Sequence, residues 1–332
     1  MIEKNLIGSW IRRFILEHLV NERNLTRNTQ QSYRDMLTLL LAFVSKRLKK
    51  SIDQLSIEDI SSQITRDFLL HLEKDRGCSI ATRNQRLAGI HALAQFIGKH
   101  SLEHIAWCTS IQAVSFKKTA KPVMTYLEKP EMDAILNVPD RTTAQGARDY
   151  SLLLFLYNTG ARADEAAKLV ISDLAMESSA PSVRIVGKAG KVRHCPLWPL
   201  TCKVLSPFVN GGHPEDRVFL NCRNQPITRF GIHNLVKRSA LKASYQVSSI
   251  ARKQVSPHCI RHTTAVHLLR AGVDINTIRA WLGHVSLDTT NVYAEVDLEM
   301  KARALSNCEI RGRYKAKKQW HGVRLMSFLK AL

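Results

Sequence analysis

The segment "SPHCIRHTTAVHLLRAGVDINTIRAWLGHVSLDTTNVYAE", residues Ser256–Glu295, decides the fold of the second half of this chain. Pro257 fits the first turn of a helix, and Gly272 is suited to end that helix. A second helix is predicted from about Ile275, and it ends at Leu282 with another glycine behind it. The segment therefore predicts two consecutive helices with polar residues around their ends.

Several side chains of this segment could carry chemistry. His258 and Arg261 are three residues apart, so they share one face of the first helix. His284 follows the end of the second helix, and Tyr293 lies nine residues further on. His258 and His262 have the spacing of a metal-binding pair. A zinc site would also need a third ligand, and a zinc protease a glutamate between the two histidines; the sequence shows neither. We therefore expect no metal.

The residues before this segment predict more helices and one strand pair. "GARDYSLLLFLYNTG" reads as an apolar helix that ends at Gly160, with Arg162 at the start of the next helix. "SVRIVGKAGKVRHCPL" has two β-branched runs around glycines, which predicts a β-hairpin with Lys188 in its turn. The sequence is thus mainly α with a small β-hairpin or sheet.

The first hundred residues predict a separate helical domain. One helix has cap candidates at Asn28 and Thr29, and another begins after a cap at Ser79. Arg83 and Arg86 lie in the first turns of that second helix, where they could contact phosphates or form a solvated face. "IQAVSFKKTAKP" has no periodicity, and we assign a basic linker to residues 111–123.

Composition favours nucleic acid as the partner. The chain has 332 residues, with 49 Lys and Arg against 28 acidic residues, a net charge of +21. Such an excess indicates a polyanionic partner, and the basic residues are not gathered on one amphipathic helix as membrane binding would require. The seven cysteines contain no CxxC pair. With no apolar run of membrane-spanning length and no signal peptide, we expect a cytoplasmic protein.

The candidate residues suit phosphoryl transfer. Two guanidiniums can hold the non-bridging oxygens of a phosphate, and a tyrosine can attack once a histidine accepts its proton. A lysine can protonate a leaving 5′-oxygen. This chemistry needs no cofactor and no nucleotide.

Four segments in register carry a family resemblance. They are "TGARADEAAKL", "IVGKAGKVRHCPL", "HCIRHTTAVHLLRAGVDINTIRAWLGH" and "TTNVYAEV". Together they resemble the tyrosine recombinase, or phage integrase, family, of Xer-like or mobile-element integrase type. The first helices resemble that family's SAM-like core-binding domain more weakly. The implied domains are core binding in residues 1–110, catalysis in 124–306 and a basic tail in 307–332.

The resemblance assigns roles to the matching residues. Its catalytic set comprises Arg162, Lys188, His258, Arg261, His284 and Tyr293, with Glu165 as a supporting residue. The arginines and His284 would hold the phosphate, and His258 would accept the proton of Tyr293. Lys188 would be the general acid, with Lys191 as its rival.

The same resemblance implies a two-domain, C-shaped clamp on double-stranded DNA. Four subunits, alike or mixed with related recombinases, would exchange strands through a 3′-phosphotyrosyl intermediate and a Holliday junction, without ATP. A mobile element is the expected setting, and chromosome-dimer resolution stays open. The alternatives are a type IB topoisomerase and a non-catalytic DNA-binding subunit. The tail could be solvated, contact DNA or dock on a neighbour.

Overall fold

The computed structural model describes residues 5–119, 124–187 and 190–283. The chain divides into two compact units, Met1–Pro122 and Val123–Leu332. The described residues are mainly helical, with one small antiparallel sheet in the second unit. This confirms the predicted class of secondary structure.

The first unit is a bundle of helices around one apolar core. Its α-helices are α1 (Ile7–Arg13, continued by a π-helical segment, Phe14–Glu22), α2 (Arg27–Leu48), α3 (Ser62–Lys74), α4 (Ile80–His100) and α5 (Ile105–Gln112). Ser79 caps α4 as predicted, because its side chain accepts a hydrogen bond from the backbone N–H of Thr82 at 3.2 Å. Helix α2 starts slightly earlier than predicted, with Thr26 rather than Asn28 or Thr29 at the cap position.

The predicted linker begins inside this first unit. Ile111 and Val114 are buried in its core, against the helices that precede them. Their apolar side chains keep residues 111–114 packed, although the sequence there has no helical periodicity. The first unit therefore extends beyond residue 110.

The second unit combines helices with the predicted hairpin. Its α-helices are α6 (Lys129–Leu136), α7 (Ala144–Thr159), α8 (Ala163–Lys168), α9 (Pro199–Val209), α10 (Arg229–Ser244), α11 (Pro257–Arg270) and α12 (Ile275–Leu282). The sheet has the order β1 (Leu174–Ala175), β2 (Ser182–Val186) and β3 (Val192–Pro196). Strands β2 and β3 pair antiparallel, with Ile185 opposite Arg193. A core of α7, the sheet and α10 supports this arrangement.

Gly160 joins α7 to the region of the candidate site. Its φ of 61° lies in the left-handed region, where glycine has no steric penalty. A Cβ atom at this position would lie 2.5 Å from Cδ2 of Leu282, at the end of α12. Both the turn and the close approach of α12 therefore require glycine. Among the residues the structure describes, no helix is long and apolar enough to cross a membrane.

Candidate active site

Arg162 lies at the start of α8 and is held by a carboxylate. Its backbone N–H donates to Oε2 of Glu165 at 2.9 Å, and its Nη1 donates to Oε1 of the same residue at 2.7 Å. The Arg162 side chain is 38% exposed, whereas that of Glu165 is 5% exposed. The buried carboxylate of Glu165 thus orients Arg162, whose side chain still reaches solvent.

Arg261 is buried on α11 and joins two other helix ends. It is 1% exposed. Its Nη1 donates to the carbonyl oxygen of Gly160 at 2.6 Å, and its Nη2 donates to that of Leu282 at 2.5 Å. These are the ends of α7 and α12, whose carbonyl groups carry partial negative charge and so favour a cation. Arg261 therefore positions the chain just before Arg162 and just before His284.

His258 lies one turn before Arg261 on the same helix. Partial burial of its ring, together with the positive charges of Arg261 and Arg162, holds the pKa of His258 below its usual value. His258 and Arg261 share α11, and Arg261 bonds the carbonyl of Gly160, two residues before Arg162. A neutral imidazole can accept a proton near neutral pH, which is the state that a general base needs.

His262 packs edge-on against His258. The ring centroids are 4.5 Å apart and the ring planes meet at 68°. Burial, with the charges of His258 and Arg261, lowers the pKa of His262 to about 4. A second positive charge beside His258 is therefore disfavoured. In the described ranges, no group of three or more His, Cys, Asp or Glu side chains could hold a metal ion.

Sequence reasoning missed Arg193, which lies on β3 beside this cluster. Its guanidinium donates to both oxygens of Glu165, at 3.2 Å from Nη1 and 2.7 Å from Nη2. Burial alone would raise the pKa of Glu165, but hydrogen bonds and charge from Arg193, together with Arg162, hold it below its usual value. One signal was present in the sequence: Arg193 has the same strand phase as Cys195 and Leu197, which face the core.

Three predicted residues, Lys188, His284 and Tyr293, lie outside the described residues. The described residues next to Lys188 and His284 in sequence are Gly187 and Gly283. A Cβ on Gly187 would be 3.2 Å from Oε1 of Glu165, and a Cβ on Gly283 would be 3.2 Å from Cδ of Arg193.

The rival lysine is described and lies on the far side of the turn. Lys191 is exposed, and its carbonyl oxygen accepts the N–H of Gly187 at 2.7 Å. This bond closes the turn of the hairpin, which spans residues 187–191. The choice between Lys188 and Lys191 as general acid stays a prediction.

The two arginines proposed for DNA contact in the first unit differ. Arg83 is buried, with its Nη1 donating to the carbonyl of Ser115 at 3.0 Å and its Nε 3.4 Å from Glu73. Its guanidinium is bonded within the first unit, and a phosphate contact at Arg83 stays a prediction. Arg86 is half-buried and donates to the carbonyl of Ser32 at 3.1 Å. A DNA contact at Arg86 stays a prediction.

Known proteins resemble this chain along most of its length. The model of the phage integrase family matches residues 125–300, and that of the phage integrase N-terminal SAM-like domain matches residues 11–100. A relative from Sinorhizobium fredii, named integrase/recombinase y4rC, is 35% identical and covers 88% of this chain and 89% of its own. Tyrosine recombinase XerC from Roseiflexus is 30% identical, over 85% of this chain and 88% of its own.

Solved structures share the fold. One is the XerH site-specific recombinase bound to a palindromic difH substrate, with a TM-score of 0.66 and 22% identity over 87% of this chain and 82% of that one. Another is the Tn1549 transposon integrase in complex with circular intermediate DNA, with a TM-score of 0.66 and 18% identity over 92% of this chain and 99% of that one. The family models and the y4rC and XerC relatives show that the chain belongs to the phage integrase family of site-specific tyrosine recombinases, whose fold these structures share.

Proposed function

We propose that this recombinase cuts and rejoins double-stranded DNA through Tyr293, with Arg162 and Arg261 holding the scissile phosphate. The observation that carries the proposal is the convergence of Arg162, Arg261 and His258 from two helices. Arg261 bonds the carbonyl of Gly160, two residues before Arg162, and both arginines lower the pKa of His258. Two cations beside a neutral base suit a phosphate that a neutral nucleophile attacks.

The reaction exchanges one phosphoester bond for another. The phenol oxygen of Tyr293 bonds to phosphorus while the bond from phosphorus to the 5′-oxygen breaks. His258 accepts the phenol proton, Lys188 gives a proton to the leaving 5′-oxygen, and His284 donates a hydrogen bond to the phosphate. The product is a 3′-phosphotyrosine and a free 5′-hydroxyl. Attack by the 5′-hydroxyl of a second strand reverses the step, so no ATP and no cofactor are consumed. The family motifs support the roles of Lys188, His284 and Tyr293.

The partner is a pair of DNA recombination sites, brought together by four subunits. The net charge of +21 supports a polyanionic partner, and XerH and Tn1549 integrase are seen with DNA in the structures that share this fold. We propose that this recombinase acts in the cytoplasm. An integrase of a mobile element is the setting we favour, on the likeness to y4rC and to a transposon integrase.

A covalent trapping experiment tests this function. A nicked duplex loses the 5′-hydroxyl strand after cleavage, so the protein stays bound to its 3′ end. The site is first selected from a randomised duplex library by capture of the covalent adduct. We expect the wild-type chain to form the adduct and Tyr293→Phe to form none. Tyr245→Phe is the matched control, because Tyr245 lies in the same unit and is 84% exposed, so its replacement leaves the core unchanged.

Each outcome separates one alternative. An adduct from Tyr293→Phe would remove Tyr293 as the nucleophile. No adduct from the wild-type chain would favour a non-catalytic DNA-binding subunit. Relaxation of supercoiled DNA without strand exchange would favour a type IB topoisomerase.

A further inference from the structure

Arg193 is a charged residue on the buried face of a strand. Its side chain is 8% exposed, and the residues before and after it on β3 face solvent. Burying a guanidinium carries a large desolvation cost unless it is paired and hydrogen-bonded. Its contacts explain why the fold accepts this cost.

The guanidinium of Arg193 bridges two separate elements. Nη1 and Nη2 donate to the two carboxylate oxygens of Glu165 on α8 in a bidentate pair. Nε donates to the carbonyl oxygen of Trp281 on α12 at 2.9 Å. Because a guanidinium is planar and rigid, these three bonds fix the carboxylate and the helix end relative to each other.

Both partners lead to groups of the catalytic set. Glu165 binds the backbone and side chain of Arg162, as described above. Trp281 lies in the last turn of α12, and the next carbonyl, that of Leu282, accepts a bond from Arg261. The backbone of Gly283, which precedes His284, also lies against the Arg193 stem.

We propose that Arg193 is a positioning residue of the strand-cleavage reaction. Arg193 connects two parts of the site. One is the Glu165 carboxylate, which orients Arg162. The other is the end of α12, which anchors Arg261 and from which the chain continues to His284. Arg193 thereby sets the spacing of phosphate-binding groups that come from two helices. This inference rests on the function proposed above.

The expected effect follows from the sensitivity of phosphoryl transfer to geometry. Catalysis of this kind consists mostly of positioning and charge stabilisation. A displacement of about 1 Å can slow an enzymatic step about 100-fold. Lysine at position 193 keeps the charge, but its single ammonium cannot reproduce the fork that holds Glu165 and Trp281 together.

The test compares Arg193→Lys and Arg193→Met with a pair of controls on the same sheet. Nη2 of Arg184 and Oδ1 of Asp173 are 2.7 Å apart. Arg184→Lys replaces the guanidinium of this ion pair with an ammonium, and Arg184→Met removes the pair. Arg184 lies on the neighbouring strand, on the face away from the site. Single-turnover cleavage of the nicked duplex is measured at saturating protein, with DNA affinity and thermal unfolding of each variant measured alongside.

A modified substrate separates positioning from a purely structural role. A methylphosphonate at the scissile position replaces one charged non-bridging oxygen with a methyl group, so an arginine has less charge to neutralise. We expect Arg193→Lys to cleave ordinary DNA about 10- to 100-fold more slowly than wild type, and methylphosphonate DNA within about threefold of it. Its DNA affinity should change by less than about threefold, because the outer DNA contacts are intact. The Arg184 variants should cleave both substrates at the wild-type rate.

Three results would overturn the inference. They are wild-type cleavage by Arg193→Lys, an equal loss in the matching Arg184 variant, and a rate defect that is the same on both substrates. The lysine variant decides the matter if the methionine variant unfolds. Failure of the wild-type chain to form an adduct would instead overturn the proposed function, so the two failures are distinguishable.

Discussion

The histidine pair on α11 makes the stability of the second unit depend on pH. The pKa of His262 is about 4 in the folded chain, against an ordinary value of 6.5. Unfolding exposes the ring, which then takes up a proton below pH 6.5. The free energy of unfolding therefore keeps this contribution above pH 6.5 and loses it as the pH falls toward 4.

The size of this loss follows from the shift in pKa. One unit of pKa corresponds to about 1.36 kcal/mol, so the displacement of His262 limits the loss to roughly 3 kcal/mol. Roughly 2 kcal/mol of it is lost between pH 7 and pH 5, where the unfolded ring is mostly charged and the folded ring is still neutral.

Urea unfolding of the wild-type chain and of His262→Gln at several pH values measures this contribution. Glutamine does not titrate, so we expect the difference in unfolding free energy between the two chains to change by about 2 kcal/mol from pH 7 to pH 5. Packing lost in the variant lowers its unfolding free energy by the same amount at every pH, so it does not change how the difference between the two chains varies with pH. His262→Asn should give the same slope, which separates titration from the shape of the replacement.

Parallel curves for wild type and His262→Gln would refute the reasoning. They would mean that the ring gains its proton equally well in the folded and unfolded chains. The interpretation of His258 would then weaken too, because part of the effect on His262 comes from the neighbouring charge of His258. Hydrogen exchange of the α11 amides at the same pH values would show whether this helix is where stability is lost.

Two further predictions concern the turn after α7 and the hairpin. Gly160→Ala should lower the free energy of unfolding by more than the cost of about 1–2 kcal/mol for a left-handed alanine, because its Cβ would also contact Leu282. Gly272 has a φ of 86° and open space around it, so Gly272→Ala measures the conformational cost alone in the same urea assay. Equal losses would show that α12 moves aside without cost. Lys188→Ala should slow single-turnover cleavage at least about 100-fold, and a substrate with a 5′-bridging sulfur, which leaves without a proton, should restore most of the rate. If Lys191→Ala shows this behaviour and Lys188→Ala does not, Lys191 is the general acid.

Local signals were sufficient to predict the elements around the site. Pro257 begins α11, α12 spans the predicted residues up to Leu282, and Gly160 ends α7. Each of these ends depends on the φ preference of one residue, which neighbours along the chain do not override. The hairpin followed in the same way from β-branched runs on both sides of a glycine-containing turn.

Arg83 shows the limit of local signals. Its place near a helix start suggested a phosphate contact, yet it lies four residues before Leu87 and seven before Ile90, on the stripe that faces the core. The helical period therefore placed it inside, and Glu73 from another helix compensates its charge. The period was readable from the sequence, whereas the partner depends on how α3 and α4 pack.

Arg193 was harder to predict because its partners are distant in sequence. The strand phase alone indicates an inward side chain, but the carboxylate is 28 residues away and the Trp281 carbonyl 88 residues away. A buried arginine without such partners would be unstable, so an inward phase at an arginine is itself evidence for a buried acid nearby. Glu165 met that description, although the sequence did not show which acid it would be.

The two buried arginines have a common role at the ends of helices. Arg193 and Arg261 donate to consecutive carbonyl groups, those of Trp281 and Leu282, and Arg261 also binds the carbonyl that ends α7 at Gly160. Helix C-termini carry partial negative charge, which offsets part of the cost of burying each guanidinium. A residue proposed to bind phosphate is therefore also part of the framework that positions the site. It follows that replacing Arg261 removes a helix anchor as well as a charge, and that the loss of activity in such a variant measures both.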